Sequence, residues 1–184
     1  MNQTPDIQGI QGIGTPETRI YVAQGEHAIA QGPGVVISTL LGSCVAVCLW
    51  DPILQLGGMN HFLLPEEGET LAGMSGYGVN AMELVVNGLI RRGAERRNFR
   101  AKAFGGATMI AGLSDAGKRN ALFALDYLIR EKIPCDAQSL GGSLARRLEF
   151  WPADGRARLK LLSNSTVREF SPAGSAPPCG IEIF

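Results

Sequence analysis

Two apolar, β-rich runs, Cys44–Trp50 and Gln55–Leu63, flank Asp51-Pro52, and no other feature constrains the fold of this chain as tightly. Asp at the first and Pro at the second position mark a type I turn, since Asp bonds the backbone ahead of it and Pro presets its own φ. A four-residue loop over Asp51–Leu54 places Trp50 opposite Gln55 in an antiparallel pair. Carried along the ladder, that register sets Cys44 directly opposite His61. Cβ atoms of such a pair lie about 4.5–5.5 Å apart on one face. A slip of one residue would send His61 to the other face.

Further elements follow from periodicity. Arg19–Ala23 and Val35–Thr39 are short β-rich runs separated by glycine-containing turns. Met82, Val85, Val86, Leu89 and Ile90 recur at helical spacing within Val79–Arg92, and Gly93 closes that helix. Ala101–Phe104 reads as a strand running into Gly105-Gly106. A second helix spans Asn120–Lys132, with Leu122, Leu125, Ile129 and Ile133 expected on its buried face and Pro134 stopping it. Arg147–Trp151 and Arg158–Leu162 flank Pro152-Ala153-Asp154-Gly155, a hairpin signal. The chain holds 24 glycines in 184 residues, well above the average of about 7%, which favours strands and tight turns over a bundle. The expected fold is α/β, a single layered domain of mixed β-sheet packed with two main helices. Residues 1–18 are expected as a leader, 19–170 as the domain and 171–184 as a tail.

Charge narrows the function. Lys+Arg and Asp+Glu each number 17, so the net charge is zero, whereas a nucleic-acid binder carries a basic excess. The basic run Arg91-Arg92 to Arg96-Arg97 is broken by Glu95 and reads as a solvated helix end. No apolar run approaches the roughly 20 residues of a membrane span, and residues 1–17 do not resemble a signal peptide. A cytoplasmic protein with reduced thiols is expected.

The chemistry gathers in Ser38-Thr39-Leu40-Leu41-Gly42-Ser43-Cys44 and in Gly57-Gly58-Met59-Asn60-His61. A free thiol is mostly protonated at neutral pH, and a neighbouring imidazole promotes the nucleophilic thiolate. Gly42 and Ser43 allow a tight turn whose amides face a tetrahedral oxyanion. A hydroxyl from Ser38 or Thr39 then orients the imidazole, giving a Cys–His–hydroxyl triad by role. Neither hydroxyl is preferred by spacing. No cofactor and no metal are expected, because Cys44-x-x-x-Cys48 is not a zinc knuckle and the chain has only one other histidine, His27. Cys48 is expected in the core on the face of Trp50, Cys135 as a structural residue at a strand start, and Cys179 in the tail. Gly105-Gly106 lacks the Gly-Lys-Ser/Thr ending of a phosphate loop.

Together, Thr39–Pro52 (TLLGSCVAVCLWDP) and Gly57–Pro65 (GGMNHFLLP) resemble the signature of the CheD family, a Gly-Ser-Cys-Val turn followed by a Gly-x-x-His-x-x-Leu-Pro block. Gly105-Gly106-Ala107, Gly117-Lys118-Arg119-Asn120, Gly141-Gly142 and Arg146 match in order, so the resemblance runs from about Tyr21 to Leu162. It implies hydrolysis of receptor glutamine amides to glutamate, with Cys44 as nucleophile and His61 as base. It also implies two alternatives, receptor glutamyl methyl-ester hydrolysis and a regulatory binding module for a CheC-type phosphatase, with chemoreceptor cytoplasmic helices as substrate and that phosphatase as a candidate partner. The family's third residue is a Thr six positions before the Cys. Ser38 holds that position here and Thr39 follows it, so both stand as candidates.

Overall fold

The computed structural model describes residues 18–65, 71–109 and 115–162. Among them are nine strands and two α-helices, five strands before the first helix, one between the helices and three after the second. Strands β1 (Thr18–Tyr21), β3 (Val35–Leu41), β8 (Ala145–Phe150) and β9 (Ala157–Leu162) form one sheet in that order. The second sheet has the order β2 (His27–Gln31), β5 (Leu56–Asn60), β4 (Val45–Asp51), β6 (Arg100–Gly105) and β7 (Cys135–Leu140). The pairs β1–β3 and β6–β7 are parallel and the others antiparallel, so both sheets are mixed. The α/β layered fold is as the sequence led one to expect.

Strand β4 explains the layering. All seven of its residues are buried, which requires cover on both faces. Val45, Val47 and Leu49 pack with Met82, Val85, Val86 and Leu89 of helix α1 (Leu71–Arg91) and with Ala124 and Leu128 of helix α2 (Ala116–Arg130). Cys44, Ala46, Cys48 and Trp50 point the other way, against Ile37 and Leu41 of β3 and Leu148 and Phe150 of β8. The order across the molecule is therefore sheet, sheet, helices. Each fully buried Val, Leu or Phe contributes about 1.5–3 kcal/mol, so β4 is the spine of two cores. Cys48 sits beside Trp50 as expected.

The first hairpin differs from expectation by two residues. Trp50 pairs with Gly57 and Asp51 with Leu56, so the loop is Pro52–Gln55. The cause is Asp51, which ends the strand rather than opening the loop. Its Oδ1 accepts from the amides of Ile53 (2.9 Å) and Leu54 (3.2 Å), and Gln55 takes a left-handed φ of 52° to re-enter β5. A two-residue shift keeps every side chain on its face. Cys44 and His61 share a face as expected, but as diagonal neighbours.

Both helices begin earlier than their apolar periodicity. Helix α1 starts at Leu71 rather than Val79, hidden by glycines that cost about 1 kcal/mol each relative to Ala. At one of them, Gly78, the space is already filled: a Cβ there would lie 2.5 Å from the Phe123 ring and 2.7 Å from Leu64, so those side chains would have to move. Helix α2 starts at Ala116 rather than Asn120 and buries Asn120, Ala124, Tyr127 and Leu128. Of the expected apolar face, Ile133 is buried in the core, but Leu122 and Ile129 are exposed, so the face is turned from the one expected. Small and polar residues face the sheet because the backbone of the 105–107 turn packs against that side. Two strands lacked a full sequence signal: β2, and β7, whose first residue Cys135 is exposed. Thr18 belongs to β1, one residue before the expected domain start, and the other expected leader residues and the tail lie outside the described residues.

Candidate active site

Alternation along β3 decides which hydroxyl turns inward. Ile37, Thr39 and Leu41 are buried between the sheets, while Leu40 is exposed and Ser38 half-buried. Thr39 Oγ1 lies 2.7 Å from the Val22 carbonyl and 2.8 Å from His61 Nδ1. Ser38 Oγ reaches only the Ile20 carbonyl, at 3.5 Å. A carbonyl oxygen can only accept, so the Thr39 proton goes to Val22. The hydroxyl oxygen then accepts from Nδ1–H of His61. This fixes the tautomer, leaving the lone pair on Nε2. That nitrogen is buried and has no hydrogen-bond partner.

The imidazole is held through its backbone as well. The His61 amide donates to the Glu26 carbonyl at 3.0 Å, and the Gly25 amide donates to the His61 carbonyl at 2.7 Å. Gly25 and Glu26 belong to the turn joining β1 to β2, which straps His61 in place. Val45 and Phe62 exchange two backbone bonds, at 3.0 and 2.9 Å, one residue beyond Cys44 and His61 on the two chains. That bridge sets the separation of the two blocks.

Cys44 enters β4 from a turn whose carbonyls are taken up by later segments. The Gly42 carbonyl accepts from Ala107 (2.9 Å) and the Cys44 carbonyl from Gly106 (2.8 Å). Gly105 makes this approach possible: its φ is 114°, and a Cβ there would stand 2.1 Å from the Cys44 carbonyl oxygen. Asn120, fully buried, donates to the Ser43 carbonyl at 2.8 Å and accepts from the Leu64 amide at 2.9 Å. One side chain thereby ties the Cys and His blocks to helix α2. Arg146, buried beside them, donates to Ser139 and Gly141 carbonyls and shapes the 141–142 turn, whose Gly142 carbonyl accepts from Thr108 at 2.8 Å. Gly105-Gly106, Asn120 and Arg146, which the resemblance also marks, hold the turns around Cys44 and His61.

The thiol itself does not bond to the imidazole. Cys44 Sγ donates to Gln24 Oε1 at 3.3 Å, the two-residue register offset having moved His61 towards Ala46. Burial pushes the Cys44 thiol above its ordinary value, a bond from its own backbone offsetting part of the shift. Burial likewise lowers His61, and the Val22 carbonyl offsets part of that. Both shifts favour a neutral thiol and a neutral imidazole. Gln24 and Val22 were not foreseen as parts of the site; loop residues such as these carry no pattern that would mark them. Cys48 lies deep in the core, and burial raises its thiol strongly. His27 is exposed on β2. Among the described residues no three His, Cys, Asp or Glu side chains group as a metal site, and no helix is long and apolar enough to cross a membrane.

A family model for CheD chemotactic sensory transduction matches residues 63–161. The chain belongs to the CheD family. One relative, from Agrobacterium fabrum (strain C58), is 49% identical over 152 residues, covering 82% of this chain and 84% of its own. Another, from Rhizobium etli (strain CIAT 652), is 49% identical over 178 residues, covering 90% and 96%. Both are called "Probable chemoreceptor glutamine deamidase CheD". A Bacillus licheniformis hypothetical protein YfiH overlays with a TM-score of 0.41 at 15% identity, covering 70% of this chain and 60% of that one.

Proposed function

We propose that this protein is a chemoreceptor glutamine deamidase that works through a Cys44 thioester, with His61 as base and acid and Thr39 as the orienting hydroxyl. The observation that carries the reading is the 2.8 Å Thr39–His61 contact, which leaves Nε2 unprotonated and without a partner on a ring that shares a strand face with Cys44. The names of the relatives support the substrate class, chemoreceptor glutamines, and the proposal places those glutamines on receptor cytoplasmic helices and the enzyme in the cytoplasm.

In the proposed cycle His61 Nε2 takes the thiol proton as the substrate carboxamide arrives. The Cys44 thiolate attacks the amide carbon, and the tetrahedral oxyanion is met by amides of the Gly42–Cys44 turn. His61 returns the proton to the departing nitrogen, releasing ammonia and leaving a thioester. A water deprotonated by His61 cleaves it, giving glutamate and the free thiol. Water is consumed and ammonia released, one of each per turnover. Thr39 does no covalent chemistry. It stabilises the imidazolium indirectly, by keeping Nδ1 protonated and the ring fixed.

The test is incubation with a receptor cytoplasmic fragment followed by peptide mass spectrometry. A gain of about one mass unit at a glutamine, from NH2 replaced by OH, is expected with the wild type and absent with Cys44→Ala. Undiminished turnover by the alanine variant would remove Cys44 from the mechanism.

A further inference from the structure

The acceptor of the Cys44 thiol is itself a glutamine side chain, the chemical group a deamidase binds. Gln24 Oε1 takes the thiol proton at 3.3 Å. Gln24 lies in an exposed turn, yet a bonded loop aims it at the thiol. Val22 donates to the Ser38 carbonyl (2.9 Å), Glu26 to Ala23 (3.0 Å), Gly25 to His61 (2.7 Å), and His61 to Glu26 (3.0 Å). The Ala23 amide also donates to the Glu26 carboxylate at 3.0 Å. The same loop supplies the Val22 carbonyl that receives the Thr39 proton. The segment that carries Gln24 is therefore anchored to two of the three site residues, and its carboxamide meets the third.

Ordering an exposed glutamine costs side-chain entropy, and a neutral thiol is a weak donor. Neither fact explains a Gln here as a stabilising device. A carboxamide oxygen placed on the nucleophile is what a bound substrate would present. We infer that Gln24 is an internal stand-in for the substrate: its carboxamide occupies the amide subsite at Cys44 and must be displaced before a receptor glutamine is attacked. The inference rests on the deamidase reading for its substrate, though not for its test. It marks where the substrate amide sits, beside Sγ and under the Val22–Glu26 strap. It also makes that strap, rather than the Gly105–Gly106 side, the part of the site that yields to substrate.

The experiment follows alkylation of Cys44 by iodoacetamide, peptide by peptide, with Cys48 as internal control. Gln24→Ala is expected to label at Cys44 about fivefold faster than wild type, the loss of one hydrogen bond that holds the thiol protonated and covered. Gln24→Glu keeps an acceptor and adds a negative charge, and should label more slowly than the alanine variant. N-acetylglutamine amide is then added as a protecting carboxamide. It should shield Cys44 at lower concentration in Gln24→Ala than in wild type, because the internal competitor is gone. A Gln24 that merely braced the loop would give no such difference in protection. Equal labelling rates and equal protection in the two proteins would overturn the inference. That outcome is separate from failure of the deamidase reading, which is judged by turnover of the receptor fragment with Cys44→Ala.

Discussion

Thr39 Oγ1 stands 2.8 Å from His61 Nδ1 while its own proton is committed to the Val22 carbonyl. Two residues thus settle, without any charged third partner, which nitrogen of the histidine carries hydrogen. A carboxylate in the same place would hold the imidazolium electrostatically. A hydroxyl holds the tautomer and the ring plane and adds little charge stabilisation.

Removing that hydroxyl should therefore slow the enzyme without unfolding it. Thr39→Ala is expected to lower kcat for receptor-fragment deamidation about tenfold, or about 1.4 kcal/mol for one orienting hydrogen bond. Thr39→Ser should recover most of the loss. Ser38→Ala, on the other face of β3, should stay close to wild type. A larger loss at Ser38 than at Thr39 would reverse the assignment of the orienting hydroxyl.

The shifts that favour a neutral pair have consequences in pH. Because burial keeps the Cys44 thiol above its ordinary value, its labelling rate should still be rising where a free cysteine has levelled off. A labelling midpoint below that of free cysteine would instead indicate a preformed thiolate. His61 acts on stability with the opposite limb. Its folded pKa is depressed by burial, so the unfolded chain binds its proton first as pH falls. The contribution is complete above about pH 6.5, the unfolded value, and is lost as pH drops through the lower folded value. Urea unfolding between pH 7.5 and 5 should be steeper in wild type than in His61→Gln.

Asn120 offers a test that separates scaffold from chemistry. Asn120→Ala leaves the Ser43 carbonyl and the Leu64 amide buried without their partner, at a cost of about 1–3 kcal/mol for each. Chemical denaturation should show a lower midpoint with little change in slope. Asn120→Asp keeps the acceptor for Leu64 and sets a carboxylate against the Ser43 carbonyl, so it should not rescue. A midpoint equal to wild type in both variants would mean that other contacts hold the two blocks together.

How far the sequence reaches is clear from particular residues. Period-two patterning put Cys44 and His61 on one face, and that survived a wrong register because the error was an even number of residues. The error arose because Asp51 uses its side chain to cap the loop from the last strand position, which looks in sequence like a first loop position. Spacing left Ser38 and Thr39 open. Alternation along β3 separates them only once Ile37 and Leu41 are known to face inward. The buried face of α2 was misread because it is formed by Asn120, Ala124, Tyr127 and Leu128, while its leucines Leu122 and Leu125 lie outside the core. Gln24 was illegible for a different reason: a turn glutamine gains meaning only from what lies opposite it in space.

The long reach of the Asn120 contacts bears on how the site comes into being. Asn120 is 77 positions from Ser43 and 56 from Leu64, so the chain must fold across most of its length before either bond can form. A nascent chain that has emerged only as far as His61 contains the proposed nucleophile and base but neither the Gly105–Gly106 turn nor helix α2 to set them. During synthesis Cys44 is then an ordinary, unshielded thiol. The catalytic identity proposed for it is a property of the finished topology, and a fragment ending before α2 should carry the residues without the activity.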